Sequence, residues 1–191
     1  MRKTLQPSTA DADVVVLGID PGTLVTGFGV VARRRTRMHL LECGTIVNSS
    51  DYPMPGRLER IHTGLSALIR KHRPDEIAIE SAFYGKNAQS ALKLGHARGV
   101  SLLAAVQHGV PTAEYSPREV KKSVVGRGNA SKEQVRYMVK ALLQAEDTAM
   151  VLDSSDALAI AICHLQRRGT PAPRAKNWKS FIAAHPERVR P

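Results

Sequence analysis

The run VVVLGI, Val14 to Ile19, breaks off at Asp20-Pro21-Gly22, and no other stretch constrains the fold as much. A short apolar run without alternation reads as a strand buried on both faces, so other elements must cover it above and below. Asp-Pro-Gly then stops the strand, because proline cannot donate to a ladder and glycine accommodates a tight turn. The chain therefore brings an acid to the rim of its own core. GFGVVARRR and MHLLECGTIV follow as two more strands, and three strands joined by such short connections predict an antiparallel meander.

The pattern changes after Pro55. Leu58, Ile61, Leu65, Leu68 and Ile69 recur at helical spacing, and this helix should end before Pro74. DEIAIE, Asp75 to Glu80, reads as a strand, and Ala88 to Gln107 as a long helix containing Gly95 and Gly99. A short strand is expected over Val110 to Tyr115, then helices over 117–124 and 131–144 separated by GRGNA. The last helix should begin near Asp153 and bury Ala157, Ile160, Ala161 and Leu165. Three antiparallel strands followed by α-β-α-β and further helices predict an α/β domain, a mixed five-stranded sheet with helices on both faces. That order resembles the ribonuclease H-like fold, which alone decides no function.

A chain of 191 residues is one domain's worth of core. The expected organisation is a polar, disordered extension over 1–13, a folded domain over 14–168 and a basic, disordered tail over 169–191. Residues 167–191 hold seven Lys or Arg against one Glu, which is +6 of a net +11. Such a tail is either a solvated disordered segment or a non-specific DNA-binding arm. The overall excess, 28 Lys and Arg against 17 Asp and Glu, favours a polyanionic partner through phosphate contacts and counterion release. Cys43 and Cys163 lie far apart in no zinc-binding spacing, which suggests free thiols in a reducing cytosol. The N-terminus has no apolar segment of a secretory signal, and no apolar run approaches the ~18 residues of a membrane span. A cytoplasmic protein without a membrane partner is expected.

Placed on this scaffold, Asp20 ends the first strand and Glu80 the fourth, expected beside the first and parallel to it. Asp153 and Asp156 open the last helix, three residues apart and so on nearly one face. Each acid has an ordinary explanation: Asp20 as turn chemistry, Glu80 as a strand end, the other two as helix N-terminal acids. Together, apolar runs that lead twice into an acid place carboxylates at one rim of the sheet, where they repel unless cations intervene. Oxygen donors without His or Cys point to Mg²⁺ or Mn²⁺. Two such ions about 3.5–4 Å apart can activate a water and stabilise the leaving oxygen in phosphodiester cleavage.

Four blocks lengthen the argument: GIDPGTLVTGFGVV, IAIESAFYGKNAQSALKLGHARG, EYSPREVKKSVVGRGNASKEQV and DSSDALAIAICH. In order and spacing they resemble the RuvC family of Holliday-junction resolvases over most of residues 14–165. The resemblance implies that Asp20, Glu80, Asp153 and Asp156 are catalytic acids holding two Mg²⁺ or Mn²⁺ ions, Asp20 contacting both. It implies paired, symmetric hydrolysis of opposing strands of a four-way DNA junction, leaving 5′-phosphate and 3′-hydroxyl ends, in recombination and repair. Lys121 and Lys132 match basic positions that hold the scissile phosphate, Lys132 with a catalytic part. Arg118 and Lys122 contact flanking backbone on the same reading. Phe83 matches an aromatic that stacks on bases near the crossover, although Tyr84 beside it leaves that choice open.

The third acidic position is Asp here, whereas some relatives of the family place His in this region. His164, two turns beyond Asp156 and about 12 Å away at 1.5 Å rise per residue, reads as structural. Symmetric incision implies a C₂ homodimer. The glycines at 95 and 99 serve either its close packing or packing on the protein's own sheet. A branch-migration helicase complex is the further partner, acting at the bacterial nucleoid. Two rivals differ in class. An ATP-using enzyme of the actin and sugar-kinase type shares a GIDPGT hairpin, but needs a second lobe that this length does not provide. A catalytically silent junction-binding relative should have lost some acids, and all four positions are filled.

Overall fold

A computed structural model describes residues 13–81, 88–144 and 154–168. In chain order these form β1 (Val14–Asp20), β2 (Val25–Arg34), β3 (Arg37–Val47), α1 (Met54–His72), β4 (Glu76–Glu80), α2 (Ala88–Gln107), β5 (Thr112–Tyr115), α3 (Pro117–Val125), α4 (Lys132–Leu143) and α5 (Ser154–Arg167). The strands make one sheet in the order β3-β2-β1-β4-β5. β1, β2 and β3 pair antiparallel, while β4 is parallel to β1 and β5 to β4. This is the mixed five-stranded sheet that the pattern of elements predicts.

The unbroken apolar run of β1 has a direct cause in its central position. Val14 and Val16 pack into a layer with α3, α4 and α5, while Val15, Leu17 and Ile19 face a second layer under α1 and α2. Both faces of β1 are therefore covered, and alternation is lost. Gly18 and Gly29 let α5 approach closely. A Cβ at Gly18 would lie 2.1 Å from the Ala157 carbonyl oxygen, and one at Gly29 2.6 Å from Leu158 Cδ2.

Helix ends follow local chemistry. Ser116 with Glu119 and Ser131 with Gln134 form capping boxes that start α3 and α4, each satisfying two otherwise unpaired backbone donors. α1 begins at Met54, a turn before its first periodic leucine, with Pro55 in the first turn where no amide donor is needed. It closes on Arg73, whose left-handed backbone (φ 46°) directs its N–H back to the Ile69 carbonyl. β5 starts at Thr112, later than Val110, after Pro111, whose carbonyl accepts from the Ile77 N–H at 2.9 Å.

Three expectations are adjusted. Asp13 is part of the fold: its N–H donates to the Arg33 carbonyl, and its carboxylate accepts from the Arg35 N–H in the β2–β3 turn. In sequence, Arg167, the last residue of α5, and Arg168 just beyond it count with the basic charges of the tail, yet they pair with Glu119 and Glu76 of the fold. Gly95 and Gly99 do not serve packing on the sheet, since a Cβ at either meets nothing within 4 Å. The rest of the N-terminal extension and the tail from 169 lie outside the described residues.

Candidate active site

Ile19 of β1 stands opposite Ile79 of β4 in parallel register, so the next residue of each strand, Asp20 and Glu80, arrives at the same edge of the sheet. α5 packs across β1, β2 and β4 and presents Asp156 from its first turn at that edge. A cleft of about 270 Å³ there is lined by Asp20, Glu80, Asp156, Lys121 and Lys132 over an apolar floor that includes Val120 and Ile160. A larger groove of about 500 Å³ between β3 and α1 has one acid, Glu59, beside Arg60. Volume is the poorer guide here, and the smaller cleft holds the chemistry.

The electrostatics are those of a crowded anionic centre. Burial pushes the Glu80 carboxyl up to about 7, helped by the charge of Asp20, a hydrogen bond with Asp20 and the charge of Asp156. Lys132 opposes the rise, with Nζ 3.5 Å from Asp156 Oδ2 at the exposed mouth. A carboxyl whose proton is held by burial and by neighbouring like charges marks a cluster short of positive charge. Among the described residues no group of three such side chains closes on a point that would hold an ion. Asp153 and Phe83, two of the expected site residues, lie outside the described residues. The donors that do converge are all carboxylate oxygens, a set that suits a hard divalent cation and not a thiophilic one.

The remaining expected residues divide. Lys121 is half-buried at the cleft. Arg118 and Lys122, one turn apart, are exposed on α3, and neither lines the cleft. The stem of Arg118 covers Gly128, where a Cβ would come within 2.7 Å of its Cγ. Sequence reading passed over a buried network behind the cleft. His164 Nδ1 lies 2.8 Å from the Tyr115 hydroxyl and Nε2 2.8 Å from Glu76 Oε2. Its only sequence signal is a lone histidine on the apolar face of α5. That helix face is structural, as expected, but the partners could not be read from it.

Comparison with known proteins gives the family of the chain. The family model described as crossover junction endodeoxyribonuclease RuvC matches residues 16–164. A crossover junction endodeoxyribonuclease RuvC of Pelobacter propionicus is 47% identical over 173 residues, 87% of this chain and 98% of that protein. That of Chloroherpeton thalassium is 43% identical over 184 residues, 92% and 99% of the two chains. The T. thermophilus RuvC structure in complex with a Holliday junction substrate superposes with a TM-score of 0.77 at 37% identity, covering 82% of this chain and 97% of that one. The yeast mitochondrial resolvase Ydc2, at 14% identity and a TM-score of 0.57, shares the fold. Likeness of this extent, over nearly the full length of the relatives, makes the chain a member of the RuvC family of crossover junction endodeoxyribonucleases.

Proposed function

We propose that this chain resolves four-way DNA junctions by paired hydrolysis of opposing strands, using two Mg²⁺ or Mn²⁺ ions at the carboxylate cleft. The observation that carries the proposal is the meeting of Asp20, Glu80 and Asp156 in one cleft with Lys121 and Lys132. An acidic pocket in a chain of net charge +11 suits a nuclease, since the basic surface draws in the polyanion and the acids hold the cations.

Asp20, Glu80 and Asp156, with Asp153, would hold the cations, which supply positive charge to the scissile phosphate and acidify the attacking water. The chain's own residues do the rest. Lys121 and Lys132 flank the acids and position the phosphate, and Lys132, exposed at the mouth beside Asp156, neutralises charge that develops on it. Arg118 and Lys122, exposed beside the cleft on α3, contact flanking backbone. Phe83 stacks on a base at the crossover.

Two cuts related by a two-fold axis require two clefts, and α2 provides the surface for a homodimer. It turns Ala97, Ser101, Ala104 and Ala105 inward and leaves Leu92, Leu103 and Val106 exposed. Residues 92, 99, 103 and 106 share one helical face, with Gly99 giving a partner close access. The branch-migration complex that presents the junction is a further partner by family resemblance.

The test is cleavage of a synthetic mobile junction against a linear duplex of the same sequence, with Mg²⁺, Mn²⁺ or EDTA. Paired, ligatable nicks in the junction alone, lost with EDTA, are expected. Tight binding without cutting would mean a silent binding protein instead.

A further inference from the structure

The two halves of the cleft come from different layers. Glu80 belongs to the sheet and Asp156 to a helix lying across it, and the register of α5 along β4 sets their separation. The apolar contacts between these layers involve alanine and branched aliphatic side chains, among them Ala157, Leu158 and Ala161. Such surfaces fix how closely a helix lies, but resist sliding weakly. A metal centre tolerates errors of only about 0.5 Å.

His164 supplies a directional tie. It is 4% exposed, and both ring nitrogens are engaged: Nε2 with Glu76 Oε2 and Nδ1 with the Tyr115 hydroxyl, each at 2.8 Å. The Glu76 carboxylate accepts only, so Nε2 carries the proton and Nδ1 accepts from the Tyr115 O–H. Burial holds the imidazole below its usual pKa range against the pull of Glu76, which suits this neutral tautomer. The second oxygen of Glu76 takes Arg168 Nε at 2.7 Å. Both ties from the end of α5 thus meet at the first residue of β4.

The spacings coincide. His164 lies eight residues after Asp156 on α5, about 12 Å at 1.5 Å per residue. Glu76 lies four residues before Glu80 on β4, about 13 Å at 3.3 Å per residue. A helix fastened at Glu76 by His164 therefore brings Asp156 level with Glu80. Tyr115 adds the third element, because it pairs with Glu80 across β4 and β5 and its carbonyl accepts from the Ser81 N–H at 2.9 Å.

We propose that His164 is a positioning residue for the nuclease centre, bridging Glu76 and Tyr115 to fix α5 against β4 and β5 and so to set the spacing of Asp156 and Glu80. The inference rests on the metal-nuclease reading of the cleft.

The experiment compares His164→Leu, His164→Gln, Tyr115→Phe and, as an apolar control buried in the same layer, Ile162→Val. Mn²⁺ affinity is read by electron paramagnetic resonance without DNA, melting temperature in EDTA, and kcat and KM on a junction. In His164→Leu, Mn²⁺ binding should weaken by about tenfold, the lower end of the loss when a direct hydrogen-bond partner of a ligand is removed, because His164 acts through the register of α5. Its kcat should fall in parallel while KM stays unchanged. His164→Gln can still donate to Glu76 and accept from Tyr115, and should recover most of the Mn²⁺ affinity. Tyr115→Phe should weaken it in the same direction by less, and Ile162→Val should lower the melting temperature only.

If His164→Leu binds Mn²⁺ no more weakly than Ile162→Val does, the proposal is overturned. Should His164→Leu not fold, Tyr115→Phe decides, and wild-type Mn²⁺ affinity in that variant overturns it equally. A wild-type protein that binds Mn²⁺ but spares junctions would count against the proposed function alone, since the affinity comparison needs no DNA.

Discussion

Lys132, the first residue of α4, reaches Asp156 in the first turn of α5, with Nζ 3.5 Å from Oδ2. The pair joins two helices at the mouth of the cleft. The lysine side chain is 81% exposed, so as a structural ion pair it contributes at most ~1 kcal/mol. Its larger effect is expected on the reaction. Lys132→Met should leave the melting temperature nearly unchanged and lower kcat by about a hundredfold, the scale of removing one group that stabilises developing charge. Steady-state cleavage beside thermal denaturation separates the two, and a matched loss of stability and rate would refute the assignment.

Glu80 makes metal-free stability depend on pH. Its carboxyl is held up to about 7 from an ordinary 4.5 by burial and by the Asp20 and Asp156 carboxylates. Above the ordinary value the unfolded chain ionises this group and the folded chain resists doing so, which favours unfolding. The contribution is intact below about pH 4.5 and is lost as pH rises through about 7. In EDTA the melting temperature should therefore drop across that window, and less so in Glu80→Gln. Added Mn²⁺ should stabilise the protein more near pH 8 than near pH 5, because at low pH cations compete with a bound proton. Scans of wild type and variant across this range check both statements.

Asp20→Asn keeps the size of the side chain and removes a charge at the convergence of β1 and β4. Cleavage should be lost while junction affinity holds or rises slightly, because repulsion between the cleft and the phosphates falls. Gel-shift and nicking assays on one junction measure both. Near-normal cutting by this variant would remove the basis for the active-site assignment.

The outward face of α2 predicts assembly. Val106 is 70% exposed and Leu92 62%, values that suit a surface covered by a second copy. Val106→Asp should convert a dimer to a folded monomer and abolish paired incision, with single nicks surviving at most. Sedimentation of the wild type as a monomer at micromolar concentration would argue against this use of α2.

Gly18 shows how the core positions the site. An added methyl would meet the Ala157 carbonyl oxygen at 2.1 Å and Ala161 N at 2.9 Å, both backbone atoms that cannot rotate away. Gly18→Ala should cost at least about 1–3 kcal/mol from overpacking. It should also weaken Mn²⁺ binding, because α5 is pushed from the sheet that carries Asp20. Denaturant midpoints and Mn²⁺ titration test the two effects separately.

Much of this was legible in the residue pattern, for local reasons. The apolar run of β1 breaks at Asp20 because the buried ladder ends there, and DEIAIE ends at Glu80 for the same reason. The helices expected over 117–124 and 131–144 start close to those bounds because Ser116 and Ser131 each open a capping box that is complete within four residues. α2 runs from Ala88 to Gln107 among the described residues, as expected, because its alanines and leucines outweigh the cost of Gly95 and Gly99. The four long motif blocks carried the family, as the relatives and the family model bear out.

What required the tertiary structure is whatever depends on two distant segments meeting. Gly95 and Gly99 read equally well as inward or outward until the sheet was in place, since a glycine has no side chain to declare a face. In sequence, Arg167 and Arg168 count with the basic charges of the tail, because their partners, Glu119 and Glu76, are dozens of residues away. Glu80 has an ordinary sequence context, and only burial beside Asp20 and Asp156 raises its proton affinity. His164 is the clearest case. Its position on α5 was readable, but a hydrogen bond to Glu76 across 88 residues leaves no local trace, because register between a helix and a sheet is a property of their packing and of neither sequence alone.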